Sequence, residues 1–336
     1  MEDSHGRNIN YLRVSLTDRC NLRCMYCMPE GKCNQNYVSS KMSIEEIDLI
    51  IRIFAEYGVE KVRFTGGEPL IVKDISKIIY NASQVKGIKD ISLTTNGIFL
   101  KDKIDELKKA GLNRVNVSMD TLKEDKYERI TGRSYLKKVK EGIEVCLDKG
   151  ITPVKINVVL MKGINLDEVD EFIKIAEKMP IDVRFIELMP IGAGTELFKN
   201  HFIPYKDIVE SHPNLIPEDH RVSSTAELYK SSKGKGRIGF ISPLSCNFCS
   251  ECNRVRLTAE GGIKSCLHGE EEINILSDVR DLLKKYNLSY CDLRESREYS
   301  ILKKKILGAM YNKPLGHRLS MEGKSRSNKQ MFQIGG

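Results

Sequence analysis

Tyr11-Leu12-Arg13-Val14-Ser15-Leu16-Thr17-Asp18-Arg19-Cys20-Asn21-Leu22-Arg23-Cys24-Met25-Tyr26-Cys27 begins as a strand and ends as a cysteine-bearing loop. Arg13, Ser15 and Thr17 alternate with apolar residues, the period of two that marks a β-strand over Tyr11–Thr17. Cys20, Cys24 and Cys27 follow at C-x3-C-x2-C spacing. That spacing is too tight for a disulfide framework and one ligand short of a closed tetrahedral site. Three thiolates on one loop can hold three irons of a cubane cluster and leave the fourth iron open. A zinc ion that borrows a fourth ligand, such as a histidine from elsewhere, is the alternative.

The same alternation recurs downstream. Lys61–Thr65, Asp90–Thr95, Arg114–Asp120, Pro153–Met161 and Asp182–Met189 read as five further strands. Helical patterns separate them: one opened by the capping box Ser43-Ile44-Glu45-Glu46 and running to Tyr57, then Lys101–Ala110, Tyr135–Lys149 and Leu166–Lys178. Strands alternating with helical segments in a unit of about thirty residues are the signature of parallel βαβ units. Parallel strands covered on both faces are nearly all apolar, whereas these carry a polar face rich in Lys and Arg. The interior of a full eight-stranded barrel is a packed apolar core. Unpartnered cations there would cost several kcal/mol each. The sequence therefore predicts a partial (β/α)6 barrel, open, with a polar and positively charged lumen. A two-layer sheet with one solvated face accounts for the alternation equally well, but not for the sign of the charge.

A soft boundary near residue 225 divides a core (1–225) from a C-terminal region (226–336). In the latter, strands are expected at Arg237–Ser242 and Arg254–Thr258, helices at Leu276–Lys285 and Tyr299–Met310, and a basic, mobile tail after Gly316. This region holds a second cysteine group, Cys249, Cys252 and Cys266. Its spacing fits a cluster or a zinc ribbon closed by Cys246 or His268. Arg254-Val255-Arg256 beside it offers guanidinium forks for a phosphorylated or carbonyl-bearing ligand.

Six of the ten cysteines fall in these two groups, and clustering favours metal over bridges. Cys33, Cys146, Cys246 and Cys291 read as ordinary thiols, Cys146 as a core residue on a helix. No apolar run approaches a membrane span and no secretory signal is visible, so the expectation is a soluble protein in the reducing cytoplasm. A net charge of +8 does not by itself establish nucleic-acid binding.

Cys-x3-Cys-x2-Cys after a first strand, with Tyr26 before the last cysteine, resembles the radical S-adenosylmethionine (SAM) superfamily. Further motifs resemble its GTP 3′,8-cyclase family, which opens molybdenum-cofactor biosynthesis: Phe64-Thr65-Gly66-Gly67-Glu68-Pro69-Leu70, Leu93-Thr94-Thr95-Asn96-Gly97, Asn116-Val117-Ser118-Met119-Asp120, Arg184-Phe185-Ile186-Glu187-Leu188-Met189-Pro190, Asn253-Arg254-Val255-Arg256-Leu257 and the terminal Gly335-Gly336. The resemblance covers nearly the whole chain and implies two [4Fe–4S] clusters, on Cys20, Cys24 and Cys27 and on Cys249, Cys252 and Cys266. It implies SAM contacts at Tyr26, Gly67, Ser118 and Met189. GTP contacts are implied at Arg13, Arg63, Thr94, Lys155, Arg254 and Arg256, with Lys61 and Arg184 as helpers. In such enzymes a 5′-deoxyadenosyl radical takes hydrogen from ribose C3′, and the carbon radical attacks guanine C8. Arg254 or Arg256 would donate a proton or a hydrogen bond, and the end of the tail would thread into the site. An external electron donor and the next enzyme, cyclic pyranopterin monophosphate synthase, are the implied partners. A homodimer is left open, and neither membrane nor nucleic acid is expected. The alternatives are a peptide-modifying radical enzyme with an auxiliary cluster and a zinc-bearing nucleic-acid-binding protein.

Overall fold

The computed structural model describes residues 1–31, 42–219, 225–232, 234–246, 248–286, 290–317 and 319–335. Its centre is a run of six parallel strands in chain order: β1 (Tyr11–Ser15), β2 (Lys61–Thr65), β3 (Asp90–Thr95), β4 (Arg114–Ser118), β5 (Val154–Leu160) and β6 (Ile181–Glu187). Helices α1 (Ile44–Glu56), α2 (Ile75–Ser83), α3 (Leu100–Lys109), α4 (Glu124–Thr131), α5 (Leu136–Asp148) and α6 (Val169–Lys178) lie between them. The strands' apolar faces, such as Leu12, Val14, Val62, Phe64, Val115 and Val117, are buried in one core with Ile50, Ile51 and Phe54 of α1. The α1 capping box forms as read: Ser43 N–H donates to Glu46 Oε2 (2.7 Å) and Glu46 N–H to Ser43 Oγ (3.2 Å).

The six-stranded partial barrel matches the sequence reading. Strands from later in the chain are added to both of its edges. After β7 (Leu215–Pro217) and β8 (Glu227–Ser231), β9 (Ile238–Ile241) lies parallel to β6; β10 (Arg254–Leu257) lies parallel to β1. With β11 (Gly262–Lys264) and β12 (Ile273–Asn274), the sheet order is β12-β11-β10-β1-β2-β3-β4-β5-β6-β9-β8-β7. Helix α2, helix α4 and the helix Gly194–His201 were absent from the sequence reading. The fourth strand ends at Ser118 rather than Asp120, whose carboxylate accepts from Tyr26 Oη and from Val159 N–H.

The polar faces are not solvated: Arg63, Asn116, Lys155 and Arg256 are all buried, which disfavours the two-layer alternative. The tail corrects an expectation. Rather than moving freely, it folds back to bury Phe332 and Ile334, and Arg256 Nη1 donates to the Ile334 carbonyl (3.0 Å) and to that of Gly335. Its few apolar residues find cover at the mouth of the sheet, which composition alone does not reveal. Gly336 and Cys33 lie outside the described residues. Among the described residues no helix is long and apolar enough to cross a membrane.

Candidate active site

The loop after β1 is tied down on three sides. Arg23 N–H and Met25 N–H donate to the carbonyls of Thr131 and Ile130 at the end of α4 (2.8 and 2.9 Å). Asn96 Nδ2 donates to Asn21 Oδ1 (2.7 Å), and Tyr26 Oη donates to Asp120 Oδ2 (2.7 Å). Cys20, Cys24 and Cys27 form no disulfide and lie on the wall of one cavity. Burial, followed by the charge of Glu68, pushes the Cys20 thiol up to about 11; burial, followed by Cys27 and Asp120, pushes that of Cys24 well up. Thiols such as Cys20 and Cys24, which burial keeps from ionising, suit a cationic cluster that would supply the missing positive charge.

Gly66 and Gly67 follow β2. A Cβ on Gly66, whose φ is 143°, would sit 2.4 Å from the Thr17 carbonyl oxygen, and one on Gly67 would sit 2.1 Å from that of Arg19. Gly67 N–H and Glu68 N–H donate to these same carbonyls (2.7 and 2.8 Å). The glycines thus serve first to seat the chain's own cysteine loop. The Glu68 carboxylate accepts from Thr95 Oγ1, Asn96 N–H and Leu70 N–H (2.7, 2.7 and 2.9 Å), and burial raises its pKa to about 7. Tyr26, Gly67, Ser118 and Met189, the four expected SAM contacts, all line the cavity of about 1270 Å³ that holds the three thiols.

A second cavity of about 970 Å³ adjoins the first, sharing Thr94, Asn157, Ile186, Met189 and Met331 as walls. The β10–β11 hairpin carries Cys266 back beside Cys252, and Cys249 sits on the 3-10 turn Cys249–Glu251. Because β10 pairs with β1 and β1 with β2, Arg256, Arg13 and Arg63 stand side by side across the sheet. They line this cavity with Thr94, Arg184, Arg254 and the second cysteine trio. Lys61 and Lys155 do not join them. Lys61 is level with Asp90 at the start of β2, and Lys155 Nζ lies 4.0 Å from Asp182 Oδ2. Arg114 pairs with Asp90, and Arg237 with Asp182, so the strand starts are neutralised. Among the described residues no carboxylate forms an ion pair with Arg13, Arg63, Arg184, Arg254 or Arg256.

This wall is short of partners. Arg13 Nε, Thr94 Oγ1, Asn116 Oδ1, Asn157 Oδ1, Arg184 Nε and Arg254 Nε are buried with no hydrogen-bond partner. Each such group costs about 1–3 kcal/mol, which a bound ligand would recover. Burial and then the neighbouring guanidinium of Arg254 pull Arg256 down to about 10; burial and then Arg63 do the same to Arg184. A buried array of like charge with unpaired donors suits a polyanion. At Cys252 burial alone would raise the thiol, but Arg254 and then Lys313 outweigh it and hold it at about 6, on the way to the thiolate a metal needs. Cys246 is not among the residues that line this cavity and lies beside the Glu227 carboxylate. Cys146 is buried in α5.

Sequence reasoning missed Glu68, Asp120, Asn157 and Lys313. Asn157 could have been found, since it shares the polar face of β5 with Lys155. Lys313 gave no signal, because it reaches the site from a distant helix end.

A Radical SAM superfamily model matches residues 14–176, and a Molybdenum Cofactor Synthesis C model matches residues 181–319. The chain is 51% identical over 336 residues to a GTP 3′,8-cyclase of Clostridium botulinum, covering all of both chains. It is 47% identical over 338 residues to that of Clostridium acetobutylicum, again covering all of both. Among solved structures, Streptococcus suis SuiB bound to precursor peptide SuiA superposes with a TM-score of 0.61 at 15% identity, over 94% of this chain and 67% of that one. Native anSMEcpe with bound AdoMet gives 0.52 at 15% identity, over 88% and 82%. At that identity the two structures speak for the fold alone, but the sequence relatives span the chain from end to end: it belongs to the GTP 3′,8-cyclase family of the radical SAM superfamily.

Proposed function

We propose that this chain converts GTP to (8S)-3′,8-cyclo-7,8-dihydroguanosine 5′-triphosphate for molybdenum-cofactor biosynthesis. The observation that carries the reading is the buried, partner-poor wall of arginines between two cysteine trios. Cys20, Cys24 and Cys27 would hold one [4Fe–4S] cluster within residues 1–225. Cys249, Cys252 and Cys266 would hold a second within residues 226–336. When bound, the first cluster and SAM supply the reductive cleavage that yields a 5′-deoxyadenosyl radical.

The chain's own work is to bind, orient and exclude water. Arg13, Arg63, Thr94 and Arg184 take the triphosphate and ribose, with Lys61 and Lys155 as helpers outside the cavity wall, Lys155 gaining its charge as the anion arrives. Tyr26, Gly67, Ser118 and Met189 frame SAM in the adjoining cavity. Arg254 is the better placed of the two arginines to serve the reacting base. Its Nη2 reaches Cys252 Sγ (3.4 Å) while its Nε has no partner, whereas Arg256 is engaged by the tail. Electrons come from an external one-electron donor, product passes to the cyclic pyranopterin monophosphate synthase, and the setting is the cytoplasm.

Reconstituted protein, given GTP, SAM and reductant without oxygen, tests the division of labour. Cys24→Ser is expected to abolish 5′-deoxyadenosine formation. Cys249→Ser is expected to release 5′-deoxyadenosine without cyclising GTP. Equal loss of cleavage in both variants, with the first cluster intact by spectroscopy, would overturn the reading.

A further inference from the structure

The N-terminal segment reaches the second cysteine trio through one side chain. Arg7 is buried, and all its donors are taken. Nε donates to Asp3 Oδ2 (2.7 Å), and Nη2 forms an ion pair with the same oxygen (2.6 Å). Nη1 donates to the carbonyls of Cys249 (2.9 Å) and Leu315 (3.2 Å). Nη2 donates to those of Lys313 and Pro314 (both 2.9 Å). Lys313, itself buried, then extends its ammonium to the carbonyls of Arg254 (2.9 Å) and Ser265. Arg254 lies two residues after Cys252, and Ser265 immediately precedes Cys266. The two cations therefore grip all three cysteine-bearing segments at the backbone: Cys249 through Arg7, and Cys252 and Cys266 through Lys313.

We propose that Arg7 and Lys313 are positioning residues for the second cluster: Arg7 fixes the Cys249 segment against the Lys313 segment, and Lys313 holds the Cys252 and Cys266 segments and adds a positive charge beside them. The inference rests on the reading of the second trio as a cluster site. Burying a guanidinium with only one carboxylate is costly unless its remaining donors are satisfied. Here the satisfaction comes from carbonyls of the two segments that must be held together. A neutral side chain could not serve four convergent carbonyls. The Lys313 ammonium also lines the same cavity as Cys252 and Cys266. It would favour the more negative, reduced form of anything those thiolates hold.

The test uses the full chain with Cys20, Cys24 and Cys27 all replaced by Ser, so that bound iron reports the second trio alone. Anaerobic reconstitution, iron and sulfide content, and a potentiometric titration followed by electron paramagnetic resonance are the readouts. In this parent, Arg7→Met is expected to lose most of the iron while keeping its far-ultraviolet circular dichroism. Lys313→Gln is expected to keep its iron but shift the midpoint to more negative potential, and Lys313→Arg to restore it. A merely structural staple would lower the melting temperature and move neither the potential nor its rescue. Full iron in Arg7→Met, or an unshifted midpoint in Lys313→Gln, overturns the proposal. If Arg7→Met does not fold, the Lys313 potentials decide alone. A parent that takes up no iron instead sinks the reading of the second trio, and the roles of Arg7 and Lys313 with it.

Discussion

Lys155 shows how one residue's environment can be read as a measurable quantity. Burial first, then the like charges of Arg184 and Arg114, bring its pKa down from 10.5 to about 6. Between those values the unfolded chain binds the proton and the folded chain does not, so stability rises with pH across that window and the gain is absent below about 6. An incoming triphosphate reverses the balance by restoring the charge on the amine. GTP binding near neutral pH should therefore take up a proton, and below about pH 6 it should not. Calorimetry in buffers of different ionisation enthalpy measures this. Lys155→Met should abolish the uptake; uptake that persists in the variant would remove Lys155 from the set of GTP contacts.

At the scale of elements, the decisive contact joins the turn after β2 to the loop after β1. Gly67 leaves no space for a Cβ against Arg19, and the obstructing atom is backbone, so a side chain must displace the loop. Gly67→Ala is expected to lose the first cluster's iron while the second trio still loads, as read by iron content and spectroscopy of the two cysteine-trio backgrounds. Glu68 secures the other side of this joint by accepting from Thr95, Asn96 and Leu70. Glu68→Ala strands two backbone N–H groups, at about 1–3 kcal/mol each. Chemical denaturation should register a loss of that order. Both residues were in view as a motif, but what they touch was not. Sequence places Gly-Gly-Glu after a strand; only the fold shows which backbone comes within 3 Å of it.

The described strands form one sheet, and both edges of its six-stranded centre are covered by strands from the C-terminal third. β10 covers the edge of β1 over Tyr11–Val14, and β9 covers that of β6 over Val183–Ile186. A fragment ending at residue 225 would leave both ladders bare and uncover buried Leu12 and Val14. It is expected to aggregate or exchange its β1 and β6 amides rapidly, by size-exclusion chromatography and hydrogen exchange. A monomeric fragment with protected β1 amides would contradict this.

Local pattern was enough for what local physics controls. Alternation in Lys61–Thr65 and Asp90–Thr95 gave those strands their limits, because a period of two with one apolar face has one packing solution. Cysteine spacing marked the first trio and the Cys249–Cys252 pair, because thiols so close in sequence cannot be far apart in space, whereas Cys266 depends on the β10–β11 hairpin. The positive face of the strands announced an anion before any contact was visible. What the sequence could not give was every meeting of distant segments: Arg7 with Cys249, Lys313 with Ser265, Arg256 with the tail, and the sorting of Arg13, Arg63 and Arg184 into the cavity while Lys61 and Lys155 stay below it. Those depend on strand register and on which edge β10 joins, set by packing energies summed over the whole sheet rather than by any one stretch of chain.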